Sequence, residues 1–213
     1  MDGPAVGGSS GFPTTYGMGA AQEVGLQFLE NAMKAKKILL YGTSLGGGAQ
    51  SEGILTHDFK KDVQYMVWSD RTFDTLSHTA SQMVTPIAEP LFWLLGISLN
   101  GVAAGQRLKE LNIKHIITQN SLDSKDNILP HENLKKYNEK GSNDVLQKDF
   151  ITEYGSDGVI PNPSSLYVGL RKAGINDQNR IKFFGNSHVR HNGSLDNGVS
   201  NLVHAEVTNF FND

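Results

Sequence analysis

Lys37-Ile38-Leu39-Leu40-Tyr41-Gly42-Thr43-Ser44-Leu45-Gly46-Gly47-Gly48-Ala49-Gln50 is the stretch that decides how this chain is read. Residues 37–41 are an apolar run that predicts a strand. A serine stands at the apex of the turn that follows, and the spacing predicts a helix over 45–56. Gly-x-Ser-x-Gly between strand and helix is the pattern of a nucleophile elbow. The serine sits on a strained turn with its hydroxyl clear of the backbone. Side chains at Gly42 and Gly46 are expected to collide where strand and helix meet. The N–H of Leu45 can then donate to an oxyanion as an acyl intermediate forms.

Two other uses of a glycine-rich turn fall away. A phosphate-binding P-loop needs Lys followed by Ser or Thr after its last glycine, and here Gly48 is followed by Ala49 and Gln50. The glycines of a dinucleotide fingerprint do not coincide with this strand-to-helix turn. No cluster of His, Asp and Glu has metal-ligand spacing, so neither metal nor cofactor is expected.

The whole chain of 213 residues suits a single domain over 1–213. A formal net charge of −3 gives no broad attraction to nucleic acid or an anionic membrane. Cysteine is absent, which excludes disulfides, zinc thiolates and a cysteine nucleophile. Met1-Asp2-Gly3-Pro4 lacks the basic start and apolar core of a signal peptide, so a cytoplasmic setting is expected. Secretion into a host cell by a non-classical route stays open.

Outward from the elbow, strands alternate with helices. A helix is expected over 17–35, strands over 63–68, 113–118 and 180–184, and helices over 74–84, 164–173 and 198–211. This order predicts an α/β protein, a three-layer αβα sandwich with a mainly parallel sheet. Residues 88–102 are the most apolar, but Glu89, Pro90 and Asn100 shorten the run below the roughly 20 residues of a membrane span. A lid-like apolar segment at about 85–108 is the expectation there, and a polar insertion at about 119–148.

A serine hydroxyl needs a base to take its proton, usually a histidine oriented by a carboxylate. The base is expected after the last strand, where His188 and His191 both lie. The acid is expected after a late strand. Asp126-Asn127-Ile128-Leu129-Pro130 and Asp157-Gly158-Val159-Ile160-Pro161 share one pattern there. Asp157 is favoured, because a helix leads from it straight to the last strand, and Asp126 is the alternate. His57, His78, His115, His131 and His204 are expected to be structural or surface residues. Asp70 and Arg71 are expected to form a structural pair at a strand end.

Tyr41–Gly48, Ser69-Asp70-Arg71-Thr72-Phe73, Ser156–Pro161 and His191-Asn192 together resemble the α/β-hydrolase superfamily. They look most like its CHLPS-type branch from chlamydiae and other intracellular bacteria. The resemblance favours His191 over His188, because His-Asn-Gly-Ser-Leu is similar to the loop that holds the base in such hydrolases. It implies hydrolysis of an ester, thioester or amide by Ser44, His191 and Asp157, on a small-molecule or acyl substrate. It covers the later part of the family fold, with the opening Gly3–Pro13 similar to the loop after its fourth strand. The first strands, and the loop giving a second oxyanion donor, are therefore expected to be missing. The sheet edge left in that case is open to a partner chain. The other reading is a catalytically impaired α/β-hydrolase-like protein that acts as a binding or interaction module.

Overall fold

Consecutive rather than alternating apolar residues are the sequence mark of parallel strands. Four such runs form the sheet of the computed structural model, which describes residues 14–84, 92, 97–120, 160, 164–175, 181–186, 191, 193–195 and 197–213. They are β1 (Lys37–Thr43), β2 (Gln64–Asp70), β3 (Lys114–Asn120) and β4 (Ile181–Asn186). Neighbours pair in the order β1-β2-β3-β4, all parallel. Gly42 pairs with Ser69 and Ser69 with Ile117, so these three residues share one face.

Six helices accompany the described strands: α1 (Thr15–Gln27), α2 (Leu45–Thr56), α3 (Leu76–Met83), α4 (Gly101–Glu110), α5 (Leu166–Lys172) and α6 (Asn197–Asn212). Hydroxyl or amide side chains start three of them. Thr14 accepts from Gly17 N–H, Thr75 from His78 N–H and Asn100 from Ala103 N–H. On one face of the sheet, Leu26 of α1, Ile54 of α2 and Ala104 and Leu108 of α4 pack on Ile38, Leu40, Tyr65 and Val67. Leu166 and Leu170 of α5 cover Ile117. On the other face, Val199 and Val203 of α6 cover Met66 and Ile116. The protein is thus an α/β fold with a parallel sheet between two helical layers. Successive right-handed crossovers advancing in one direction put their helices on one face, as α2, α4 and α5 are here.

One difference from the sequence reading has a physical cause. The helix expected over 17–35 gives way after α1 to a π-helical turn, Phe28–Ala32. That turn carries Glu30, which is buried and accepts from the Tyr65 hydroxyl at 2.5 Å. Both nitrogens of His57 meet carboxylates at 2.7 Å, Glu23 at Nδ1 and Glu30 at Nε2. A tertiary polar cluster therefore sets the backbone there, where periodicity predicts a plain helix.

Part of the segment expected to be lid-like lies among the described residues. Residues 101–108 belong to α4, whose Ala104 and Leu108 are buried, and Leu99 packs with Met18, Phe73 and Ile160. Residues 85–91 and 93–96 lie outside the described residues. Of the expected polar insertion, Gln119 and Asn120 complete β3, and residues 121–148 lie outside.

His115 gives the fold a pH dependence. It is enclosed on β3, with Nε2 at 2.9 Å from Ser69 Oγ and, among the described residues, no partner for Nδ1. Burial pushes its pKa down to about 4. An unfolded histidine titrates near 6.5, so between these values the unfolded chain binds a proton that the folded chain refuses. The stability this residue contributes is present above pH 6.5 and is lost as pH falls toward 4, by about 3 kcal/mol. Denaturant titrations of wild type and His115→Gln across that window test this. The variant is expected to lack this part of the slope, and parallel curves would assign the slope to other groups.

Candidate active site

The turn after β1 is strained where the elbow pattern requires it. Ser44 has φ 52° and ψ −122°, a left-handed φ that a residue with a side chain adopts only at a cost. Hydrogen bonds from the end of β2 hold it. Ser44 N–H donates to the Asp70 carbonyl at 3.0 Å, and Thr72 Oγ1 donates to the Ser44 carbonyl at 3.1 Å. Gly47 and Gly48 N–H close the first turn of α2 on that same carbonyl, at 3.0 and 3.3 Å. Leu45 begins α2, so its N–H is among those a helix leaves without an internal acceptor.

The glycines divide unevenly. A Cβ on Gly42 would stand 2.8 Å from the Gly46 carbonyl oxygen and from Gly47 Cα. Gly47 is pressed against Thr72 Oγ1, at 2.6 Å from a built Cβ, and Gly48 against Phe73 and Leu99, at 2.7 and 2.8 Å. Gly46 corrects the sequence reading, because among the described residues nothing lies within 4 Å of a Cβ built there. The close approach of strand and helix falls on Gly42 and Gly47, one residue later in α2 than expected.

His191 comes from beyond β4, 147 residues along the chain, and sets Nε2 at 2.6 Å from Ser44 Oγ. His191 is 8% exposed, so little water competes for the contact. With its proton on Nδ1, the imidazole accepts the serine hydroxyl proton at Nε2. This is the nucleophile–base geometry that acyl transfer requires. His188, Asp157 and Asp126 lie outside the described residues.

The pair expected at the end of β2 forms, and it reaches further than expected. Arg71 Nε and Nη2 donate to the two oxygens of Asp70 at 3.0 and 2.6 Å. Thr118 Oγ1 donates to Asp70 Oδ1 at 2.6 Å, and the Tyr41 hydroxyl to Oδ2 at 3.3 Å. Burial, and then the Asp70 carboxylate, raise the Tyr41 pKa. Arg71 Nη1 donates to the Gly193 carbonyl at 2.5 Å, two residues from His191. Sequence reading missed this tie, and it missed the Thr72 bond to Ser44. Their only signal was that Ser69–Phe73 directly follows a strand.

The remaining described histidines have structural surroundings. His57 sits between Glu23 and Glu30, His78 Nδ1 is 2.6 Å from Asp74, His115 faces Ser69, and His204 lies on α6 within 3.5 Å of Thr208 Oγ1. A cleft of about 660 Å³ lies between α1 and β1, lined by Gln22, Leu26, Leu29, Leu39, Tyr41 and Gln50 among others. Neither Ser44 nor His191 lines it. Among the described residues, no helix is long and apolar enough to cross a membrane.

No curated protein and no solved structure matches the chain. The family model described as Chlamydia CHLPS protein (DUF818) matches residues 2–155, a span that holds the elbow and Ser69–Phe73 and ends before Asp157 and His191. By that match the chain belongs to the Chlamydia CHLPS protein family.

Proposed function

We propose that the protein is a serine hydrolase of the α/β-hydrolase type, cleaving an ester, thioester or amide of an acyl substrate. The observation that carries this reading is the 2.6 Å contact between His191 Nε2 and the hydroxyl of a serine on a strained strand-to-helix turn. Ser44 Oγ attacks the acyl carbonyl carbon as His191 takes its proton. The negative charge that develops on the carbonyl oxygen is met by Leu45 N–H at the start of α2. The intermediate collapses, His191 returns the proton to the leaving group, and the acyl chain stays on Ser44. Water, deprotonated by the same imidazole, then releases it. Asp157, with Asp126 as alternate, is the carboxylate assigned to orient the ring.

The test is labelling by a fluorophosphonate probe, with the adduct located by peptide mass spectrometry. Wild type is expected to carry the probe on Ser44, and His191→Gln to label far more slowly. A folded wild-type protein that takes no probe, or takes it equally after Ser44→Ala, overturns the reading.

A further inference from the structure

We propose that Arg71 is a positioning residue that fixes the loop bearing His191, so that the ring stays within reach of Ser44. The inference rests on the reading of Ser44 and His191 as the reacting pair, and it assigns the buried ion pair at the end of β2 a part in that chemistry.

Asp70 and Arg71 are 1% and 6% exposed, and burying two charges is costly even when they pair. A pair kept only for stability needs no third arm. Here the carboxylate is pinned first, by Thr118, Tyr41 and two nitrogens of Arg71. Two parallel contacts to a fixed carboxylate also fix the plane of the guanidinium. The nitrogen left over, Nη1, is thereby aimed at the Gly193 carbonyl. Arg71 adopts φ 46° to do this, while its own N–H extends the ladder to the Thr118 carbonyl at 2.8 Å. Strain of this kind persists only where the surroundings over-determine it.

The neighbours of Arg71 hold the other half of the site. The Asp70 carbonyl and the Thr72 hydroxyl grip the backbone of Ser44. Three consecutive residues therefore clamp the elbow on one side and the histidine loop on the other. This arrangement fixes the distance between two side chains 147 residues apart. Lysine cannot replace the arginine, because a single ammonium does not span a bidentate carboxylate and a separate loop carbonyl.

Arg71→Lys keeps a cation beside Asp70 and is the variant of choice. A misplacement of about 1 Å costs on the order of 100-fold in rate, so fluorophosphonate labelling of Arg71→Lys is expected to slow by about 10- to 100-fold. The loss should fall on the maximal labelling rate rather than on the probe concentration at half-maximal rate. Hydrogen exchange at the amides of Ser194 and Leu195 is expected to quicken, with amides of the sheet unchanged. Wild-type labelling together with wild-type exchange overturns the proposal. If wild type itself takes no probe, the hydrolase reading falls, and exchange at 194–195 still decides whether Arg71 holds the loop. If Arg71→Lys does not fold, the double variant Asp70→Asn/Arg71→Gln removes both buried charges and is read by the same two measurements.

Discussion

Ser44→Gly is expected to be inert toward acyl substrates and yet to unfold at a higher temperature than wild type. The two effects share one cause. Ser44 holds a φ of 52° that glycine adopts freely. Residues kept in such regions cost on the order of 1–3 kcal/mol each. Glycine gives back roughly 0.5–1 kcal/mol through the greater entropy of the unfolded chain. The net gain is about 1 kcal/mol, or a rise of about 2–4 °C in Tm for a chain of this size. Activity is expected to fall by about 10⁵- to 10⁶-fold, because the nucleophile, base and orienting acid act as a unit and loss of the first idles the rest. Ser44→Ala separates the two effects. It removes the same hydroxyl but keeps Cβ, so it should be equally inert without gaining stability. Differential scanning calorimetry and ester turnover on the three proteins give the result. Equal Tm values for the alanine and glycine variants would falsify the strain argument, and residual turnover in both would place the nucleophile elsewhere.

Much of this could be read from particular residues. Helix α2 spans Leu45–Thr56, as the spacing after Ser44 predicts, because its start is set locally by the turn. The strands are legible because each holds a short apolar run with no competing helical period. Helix α4 is not legible in this way. Its buried face is Gly101, Ala104, Gly105 and Leu108, and a Cβ on Gly105 would stand 2.4 Å from Leu170 Cδ2. Small residues are selected there by the close approach of α5, which no hydropathy pattern records. At the site, the candidacy of His191 follows from its place after the last strand. The tie from Arg71 to Gly193 spans 122 residues and uses a backbone carbonyl, which any residue could supply. Such a contact leaves no mark in the sequence of its acceptor.

Gly42→Ala and Gly46→Ala should part company sharply, although both glycines belong to one five-residue motif. At Gly42 the new methyl group would stand 2.8 Å from the Gly46 carbonyl oxygen, 2.8 Å from Gly47 Cα and 2.9 Å from Gly47 N. All three are backbone atoms, so no side-chain rotation relieves the clash. Relief requires α2 to move away from β1, and α2 is fastened there by the bonds from Gly47 and Gly48 to the Ser44 carbonyl. Gly47 in turn rests on Thr72, whose hydroxyl holds Ser44. Overpacking commonly costs about 1–3 kcal/mol, and a backbone-on-backbone clash belongs at or above the top of that range. Gly42→Ala is therefore expected to lose about 3 kcal/mol, lowering Tm by about 6–12 °C, and to lose Ser44 labelling with it. At Gly46 the described surroundings are open, and the residue lies in the first turn of a helix. Alanine is favoured over glycine inside a helix by roughly 0.5–1 kcal/mol, so Gly46→Ala should match or slightly exceed wild type in Tm. It should also label at close to the wild-type rate. Comparable losses from both substitutions would mean that the elbow is crowded on its helix side as well, and that Gly46 is required for the same steric reason as Gly42.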